Sequence, residues 1–179
     1  MIFAVEMLLD SASDARMRAL WQRIADRGLP SPLLALGHTP HVSLAVSNGL
    51  AVDDFVPALR EFAAREAPPR TALASAATFG SAEGVVFLGA VPTPALIELH
   101  RRFFPLFERA ASEPWDHYRP GRWVPHCTVS SGLDPRQVTE ALGVCLEAEL
   151  PIPVTLQGVA LVENPSGAVH ARLPFGGRS

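Results

Sequence analysis

One short pattern occurs twice in the sequence and constrains the fold more than any other feature. Residues 40–44 read PHVSL, and residues 125–129 read PHCTV. In an extended strand, alternate side chains lie on the same face. The histidine and the hydroxyl residue of each copy would therefore share one face, and the apolar residues would share the other. The pattern predicts two strands that bury one face and line a polar cleft with the other.

The predicted elements around each copy also repeat, in the order strand, helix, motif strand, helix, strand. Short apolar runs between Gly and Pro indicate the strands, and capping residues followed by apolar periodicity indicate the helices. The first half contains a strand at 2–9, a helix from a possible capping box at 11–14 to Gly28, a short strand at 33–37, the motif strand, a helix at 53–66 and a strand at 71–80. The second half contains a strand at 85–91, a helix at 94–111, the motif strand, a helix from Asp134 to about Glu149, and strands at 152–163 and 168–175.

The duplication predicts the fold class, which is α+β. We expect one bilobal domain over residues 1–179, made of two pseudo-repeats at roughly 1–80 and 81–179. Two antiparallel sheets related by a pseudo-twofold axis would face a central cleft, with the helices on the outside. Each motif strand would then present its histidine and hydroxyl to the cleft.

Composition and charge limit the classes of partner. Hydrophobic residues make up 48% of the chain and charged residues 18%, so a sizeable core is available. A net charge of −3 argues against duplex DNA as a partner. The N-terminus lacks the basic region of a signal peptide, and no apolar run reaches the ~18–20 residues of a membrane span. We expect a cytoplasmic protein without a membrane partner, and a monomer, because a cleft made within one chain needs no second copy.

Two histidines and two hydroxyls facing one cleft are suited to acid–base chemistry on a phosphodiester. Unperturbed imidazole titrates near pH ~6.5, so one ring can be neutral while the other is protonated. His41 and His126 would exchange protons with the attacking and leaving oxygens, and Ser43 and Thr128 would donate hydrogen bonds to the phosphate oxygens. This chemistry requires neither a metal nor a cofactor.

These residues resemble the 2H phosphoesterases, which include 2′–5′ RNA ligase-like proteins and cyclic phosphodiesterases. The family is marked by two H-x-[T/S]-hydrophobic motifs, here HVSL at 41–44 and HCTV at 126–129. The resemblance implies a bilobal α+β fold and metal-independent chemistry on 2′,3′-cyclic phosphates or 2′–5′ linkages. The implied substrate is a small cyclic phosphate, a nucleotide or an RNA end, opened to a 2′-phosphate, and ligation of 2′–5′ linkages is a further possible reaction. Either histidine could be the base.

The loop at 112–125 leads directly into the second motif and is the chain's most polar and aromatic segment. Trp115 and Tyr118 could stack on a nucleobase, and Arg119 and Arg122 could bind phosphate. These four residues are the predicted substrate contacts.

Two other functions remain open. A binding module could hold a nucleotide or RNA end in the same cleft without turning it over, although both histidine–hydroxyl pairs are intact. A metal-dependent hydrolase could use His38 and His41 with Cys127, but zinc sites usually need three or four suitably spaced ligands.

Several residues have simpler structural interpretations. We expect His100 on a helix surface, and Cys127 and Cys145 as small core residues. Trp123 could either stack on substrate or belong to the core.

Overall fold

The structure, a computed structural model, describes residues 1–177. Within these residues the chain forms eight strands and five α-helices. In chain order they are β1 Ile2–Leu9, α1 Ser11–Asp26, α2 Pro32–Ala35, β2 His41–Leu50, α3 Val52–Arg65, β3 Arg70–Thr78, β4 Val86–Ala90, α4 Pro94–Ala110, β5 Ala111–Pro114, a 3₁₀ turn Asp116–Tyr118, β6 His126–Ser130, α5 Pro135–Leu146, β7 Ile152–Asn164 and β8 Ala168–Pro174.

The strands pair antiparallel in one hydrogen-bonded series, β5-β2-β1-β7-β3-β4-β6, with β8 on the remaining part of β7. The series contains the order β2-β1-β7 and, from its other end, β6-β4-β3. In each half the motif strand pairs with the first strand of that half. That first strand then pairs with a strand of the other half, which is β7 for β1 and β3 for β4. β2 and β6, the motif strands, stand near opposite ends of the series and nevertheless contact each other. The predicted α+β class with antiparallel strands is confirmed, and the division into two lobes stays a prediction.

The predicted alternation along the motif strands is present. Val42 and Leu44 in β2, and Val129 in β6, have no exposed surface, whereas His41 and Thr128 are half-buried. Burying an aliphatic side chain of this size contributes about 1.5–3 kcal/mol. The apolar face of each motif strand thus anchors it in the core and turns the polar face outward.

The helices cover the sheet with amphipathic faces. In α4 the buried residues Leu96, Leu99, Phe103 and Phe107 recur at helical spacing. None of the helices in residues 1–177 combines the length and the apolar character needed to cross a bilayer.

Two local predictions were wrong. The predicted strand at 33–37 is replaced by the short helix α2, because Pro32 has a fixed φ suited to the first helical position and the residues after it are good helix formers. The first helix is capped by Asp10, whose carboxylate accepts hydrogen bonds from the backbone of Ala12 and Ser13, rather than by a box starting at Ser11. The capping box of Asp134 with Gln137 is present as predicted.

Candidate active site

Both motif histidines make the same hydrogen bond through the ring nitrogen Nδ1. His41 Nδ1 donates to the oxygen of Thr39 at 2.8 Å, and His126 Nδ1 donates to the oxygen of Val124 at 2.7 Å. A carbonyl oxygen can only accept, so each Nδ1 carries a proton and each Nε2 is left to exchange one. In both copies a proline stands between the two residues and restricts the residue before it to an extended conformation. The proline–histidine pair therefore gives both rings the same tautomer.

The ring of His126 lies against two phenylalanines. The ring centroids of Phe79 and Phe87 are 5.0 and 4.9 Å from that of His126, and the two phenylalanines stack on each other at 4.4 Å. Phe87 pairs with Thr128 across β4 and β6, while Phe79 comes from the loop after β3. Burial lowers the pKa of His126 below its ordinary value, the nearby His41 lowers it further, and the bond to Val124 opposes both effects.

The ring of His41 has a different neighbour. Nε2 of His41 lies 3.5 Å from Oε1 of Glu6, a residue of β1 that is only 4% exposed. Glu6 pairs with Ser43 across β1 and β2, so its carboxylate lies on the same face as the motif side chains. One motif histidine therefore faces a carboxylate, and the other faces aromatic carbon.

The hydroxyl residues of the two motifs are held through their main-chain oxygens. Trp123 Nε1 donates to the oxygen of Ser43 at 2.9 Å, and Trp21 Nε1 donates to the oxygen of Thr128 at 3.0 Å. The phenolic hydroxyl of Tyr118 lies close to the side chain of Ser43. These contacts leave Ser43 and Thr128 on the same face as their histidines, as the alternation predicted.

His100 is buried, which corrects its expected position on a helix surface. It is 2% exposed, and its ring stacks on Trp123 with centroids 4.0 Å apart and planes inclined by 7°. Its Nε2 lies 3.2 Å from the main-chain oxygen of Leu44. Burial lowers the pKa of His100 to about 4, so the ring is neutral at pH 7. Trp123 is 9% exposed and packs in the core between His100 and β2.

The loop residues predicted to contact substrate occupy different environments. Tyr118 is buried against Ser43, and Trp115 is half-buried with its Nε1 donating to Oδ1 of Asn48 at 2.9 Å. The structure thus brings Tyr118 to a motif residue.

The two arginines of this loop are in ion pairs. Arg119 bonds Asp116 at 2.9 Å and also bonds Glu108, and Arg122 bonds Asp116. A substrate phosphate would have to exchange with these carboxylates.

The possible metal ligands are not grouped. In the part of the chain that the structure describes, no three His, Cys, Asp or Glu side chains form a cluster suited to a metal ion. Cys127 is fully buried, and burial raises the pKa of its thiol to about 12. Its thiol is therefore protonated and lies in the core, and Cys145 is buried as well, as expected.

The sequence of the chain matches a known protein family. The family model of the 2′-5′ RNA ligase superfamily matches residues 9–168, which is most of the chain. The chain belongs to the 2′-5′ RNA ligase superfamily. The resemblance to the 2H phosphoesterases is therefore confirmed, and membership supports an enzyme of the phosphoesterase or ligase type.

The fold of this superfamily member also occurs in a solved structure. The crystal structure of TT0787 of Thermus thermophilus aligns over 100% of both chains with a TM-score of 0.64 and 19% identity. At this identity the likeness concerns the fold alone. None of the curated proteins matches the sequence.

The sequence patterns did not indicate three residues of the site. Glu6 was visible only as a single acid in the apolar run 2–9, and it lies outside the residues that the family model matches. Phe79 and Phe87 carry no local motif, because their contact with His126 depends on how β4 pairs with β6.

Proposed function

We propose that the chain is a metal-independent 2H-type phosphoesterase that acts on 2′,3′-cyclic phosphates of nucleotides or RNA ends, or on 2′–5′ linkages. The reaction proceeds by general acid–base catalysis with two histidines. His41, His126, Ser43 and Thr128 are the catalytic residues. The observation that carries the proposal is the matched Nδ1 hydrogen bond, which leaves Nε2 of both histidines able to exchange protons beside two hydroxyls.

The hydrolysis of a cyclic phosphate needs two proton transfers. A water oxygen forms a bond to phosphorus while one neutral imidazole takes its proton through Nε2. The bond from phosphorus to the 3′-oxygen breaks, and the protonated imidazole donates a proton to that oxygen, which leaves a 2′-phosphate. Ser43 and Thr128 donate hydrogen bonds to the non-bridging oxygens, where negative charge accumulates. All the transferred protons are accounted for by the two rings and water.

The loop at 112–125 supplies further contacts in this proposal. Tyr118 lies beside Ser43, and this position supports a role for Tyr118 close to the reacting phosphate. Trp115 would stack on a base, and Arg119 and Arg122 would exchange Asp116 for a substrate phosphate. The net charge of −3 favours short substrates over long RNA or duplex DNA. A cytoplasmic monomer remains part of the proposal.

The test is the hydrolysis of the four nucleoside 2′,3′-cyclic monophosphates and of a 2′–5′-linked dinucleotide, in EDTA, between pH 5 and 9. His41→Ala and His126→Ala should each lower kcat by about 10²–10⁴-fold. His170→Ala is the matched control, because His170 is on β8 and paired with Glu163. Turnover that requires added metal would contradict the proposal. Binding of the nucleotides without turnover by the folded wild type would favour the alternative, a binding module that uses the same cleft.

A further inference from the structure

We propose that Glu6 holds His41 in its imidazolium form, which makes His41 the proton donor and His126 the proton acceptor when a cyclic phosphate is hydrolysed. This assignment rests on the proposed function, because it distributes the roles within the same reaction. The two motifs alone leave the roles open, since each supplies an imidazole with the same Nδ1 bond. The surroundings of the two rings carry the assignment.

Glu6 is a carboxylate in the middle of an apolar strand. It is 4% exposed, and its neighbours Val5 and Met7 are fully buried. A carboxylate removed from water needs a compensating charge or hydrogen bonds. Among the described residues, His41 is the one cationic group within ion-pair distance of Glu6, with 3.5 Å between Nε2 and Oε1. His38 and Arg172 line the same pocket as Glu6 beyond ion-pair distance, so a charged His41 is the nearest compensating charge for this carboxylate.

The strand register brings the two side chains together. The register of β1 and β2 shifts between Val5 and Glu6, and Glu6 then stands opposite Ser43 and diagonal to His41. Long side chains reach across such a diagonal. The separation of 3.5 Å is longer than a hydrogen bond, so the carboxylate acts on the ring through its charge. The Nε2 proton stays available to the leaving oxygen, and Glu6 is a positioning residue.

His126 has the opposite environment. Phe79 and Phe87 pack against its ring, and aromatic carbon cannot solvate an imidazolium. Burial lowers the pKa of His126 below its ordinary value, and the positive charge of His41 lowers it further. The neutral ring, with its proton on Nδ1, presents the lone pair of Nε2 to the attacking water. The positive charge on His41 favours the neutral form of His126, and a neutral His126 places no repelling charge beside His41.

The other titratable groups around the two rings preserve this difference. Burial raises the pKa of Cys127 and of Tyr118 to about 12, so both are neutral in the working range of the two histidines. Other titratable or charged groups lie near the two rings or near Glu6, and they include Asp14 of α1, His38 before β2, Glu83 between β3 and β4, His117 in the 3₁₀ turn and Arg172 of β8. Among residues 1–177, only Glu6 lies within ion-pair distance of either motif ring.

The test compares wild type with Glu6→Gln, which keeps the shape of the side chain and removes its charge. The wild type should give a bell-shaped profile of kcat/KM against pH, with an alkaline limb set by loss of the His41 proton. In Glu6→Gln this limb should move about one pH unit lower, and the rate at alkaline pH should fall about tenfold. The acid limb, which belongs to His126, should stay within about 0.3 units. Glu6→Asp keeps the charge at a longer distance and should give a smaller shift.

Proton NMR of the two imidazoles provides a readout that does not depend on turnover. The His41 resonance should titrate at lower pH in Glu6→Gln than in wild type. An unmoved alkaline limb and an unmoved His41 titration, or movement of the acid limb alone, would overturn the assignment. If the wild type hydrolyses nothing while the His41 titration still shifts, the proposed function fails and the effect of Glu6 on His41 stands.

Discussion

The indole nitrogen of Trp123 donates a hydrogen bond of 2.9 Å to the main-chain oxygen of Ser43. On that side β2 is paired by β5 only from Ser47 onward, so no strand supplies a donor at Ser43. The same arrangement occurs at the second motif, where Trp21 donates to Thr128 on the unpaired edge of β6. An indole thus replaces the missing strand neighbour at each hydroxyl residue.

Removal of the indole donor should destabilise the protein. Trp123→Phe keeps an aromatic ring against His100 but leaves the oxygen of Ser43 without a partner. An unsatisfied buried carbonyl costs about 1–3 kcal/mol, so the free energy of unfolding should fall by that amount. Urea denaturation followed by circular dichroism measures the change, with an unchanged m-value as the sign of a two-state comparison.

Trp115→Phe is the control for this variant. Trp115 also donates through its indole, but its partner Asn48 is exposed and can bond water instead. Its loss should cost well under about 1 kcal/mol. Equal effects of the two substitutions would mean that the bond to Ser43 has no special role.

The buried His100 should make stability depend on pH. Burial lowers the folded-state pKa of His100 to about 4, whereas the unfolded ring titrates near 6.5. Between these values the unfolded chain binds a proton that the folded chain does not, so the free energy of unfolding falls as the pH falls. The loss is complete below pH 4 and amounts to up to about 3 kcal/mol.

The measurement is urea denaturation at pH 4, 5, 6 and 7 for wild type and His100→Gln. Glutamine retains an N–H donor for the oxygen of Leu44 and does not titrate, so the variant should lose less stability on acidification. His170→Gln is the control, because His170 is exposed and should leave the slope of the wild type nearly unchanged. Parallel curves for wild type and His100→Gln would show that His100 is not the group responsible.

Much of the fold could be predicted because local patterns determine it. The alternation in both motif strands, the capping box at Asp134 and the hairpin of β7 and β8 are all properties of neighbouring residues. The prediction of a strand at 33–37 was wrong because a short apolar run fits a strand or a helical turn equally well.

The unpredicted parts of the site depend on contacts between distant segments. Glu6 meets His41 only because the register of β1 shifts by one residue, and no spacing in the sequence reveals that shift. His100 was predicted on a helix surface because no local pattern shows that Trp123, from a loop beyond β5, stacks on its ring. Arg119 and Arg122 looked free for phosphate because their carboxylate partners become neighbours only in the folded loop.

Phe79 should control the acid limb of the pH–rate profile. It forms one wall of the His126 site and is partly exposed, so Phe79→Ala should admit water to the ring. Weaker desolvation moves the pKa of His126 up toward its ordinary value, and the fraction of neutral base at pH 5.5 falls. The acid limb of kcat/KM should move up by about 0.5–1 unit, and the alkaline limb should stay in place.

The control is Phe62→Ala, on α3 against Phe103, which should move neither limb. A shift of both limbs together would point to a general loosening of the cleft instead.

Thr128 should stabilise the transition state through its hydroxyl. Thr128→Val removes the hydroxyl and keeps the volume, whereas Thr128→Ser keeps the hydroxyl and removes a methyl group. Loss of one hydrogen bond to the charge that develops on phosphate costs about 10²–10³-fold in kcat, so the valine variant should fall by that factor. The serine variant should remain within about tenfold of wild type. The control is Thr139→Val, which removes a hydroxyl from the exposed face of α5 and should also remain within about tenfold. Steady-state kinetics on the preferred cyclic phosphate separates the possibilities, because a purely structural role for Thr128 would raise KM or lower stability without a selective fall in kcat.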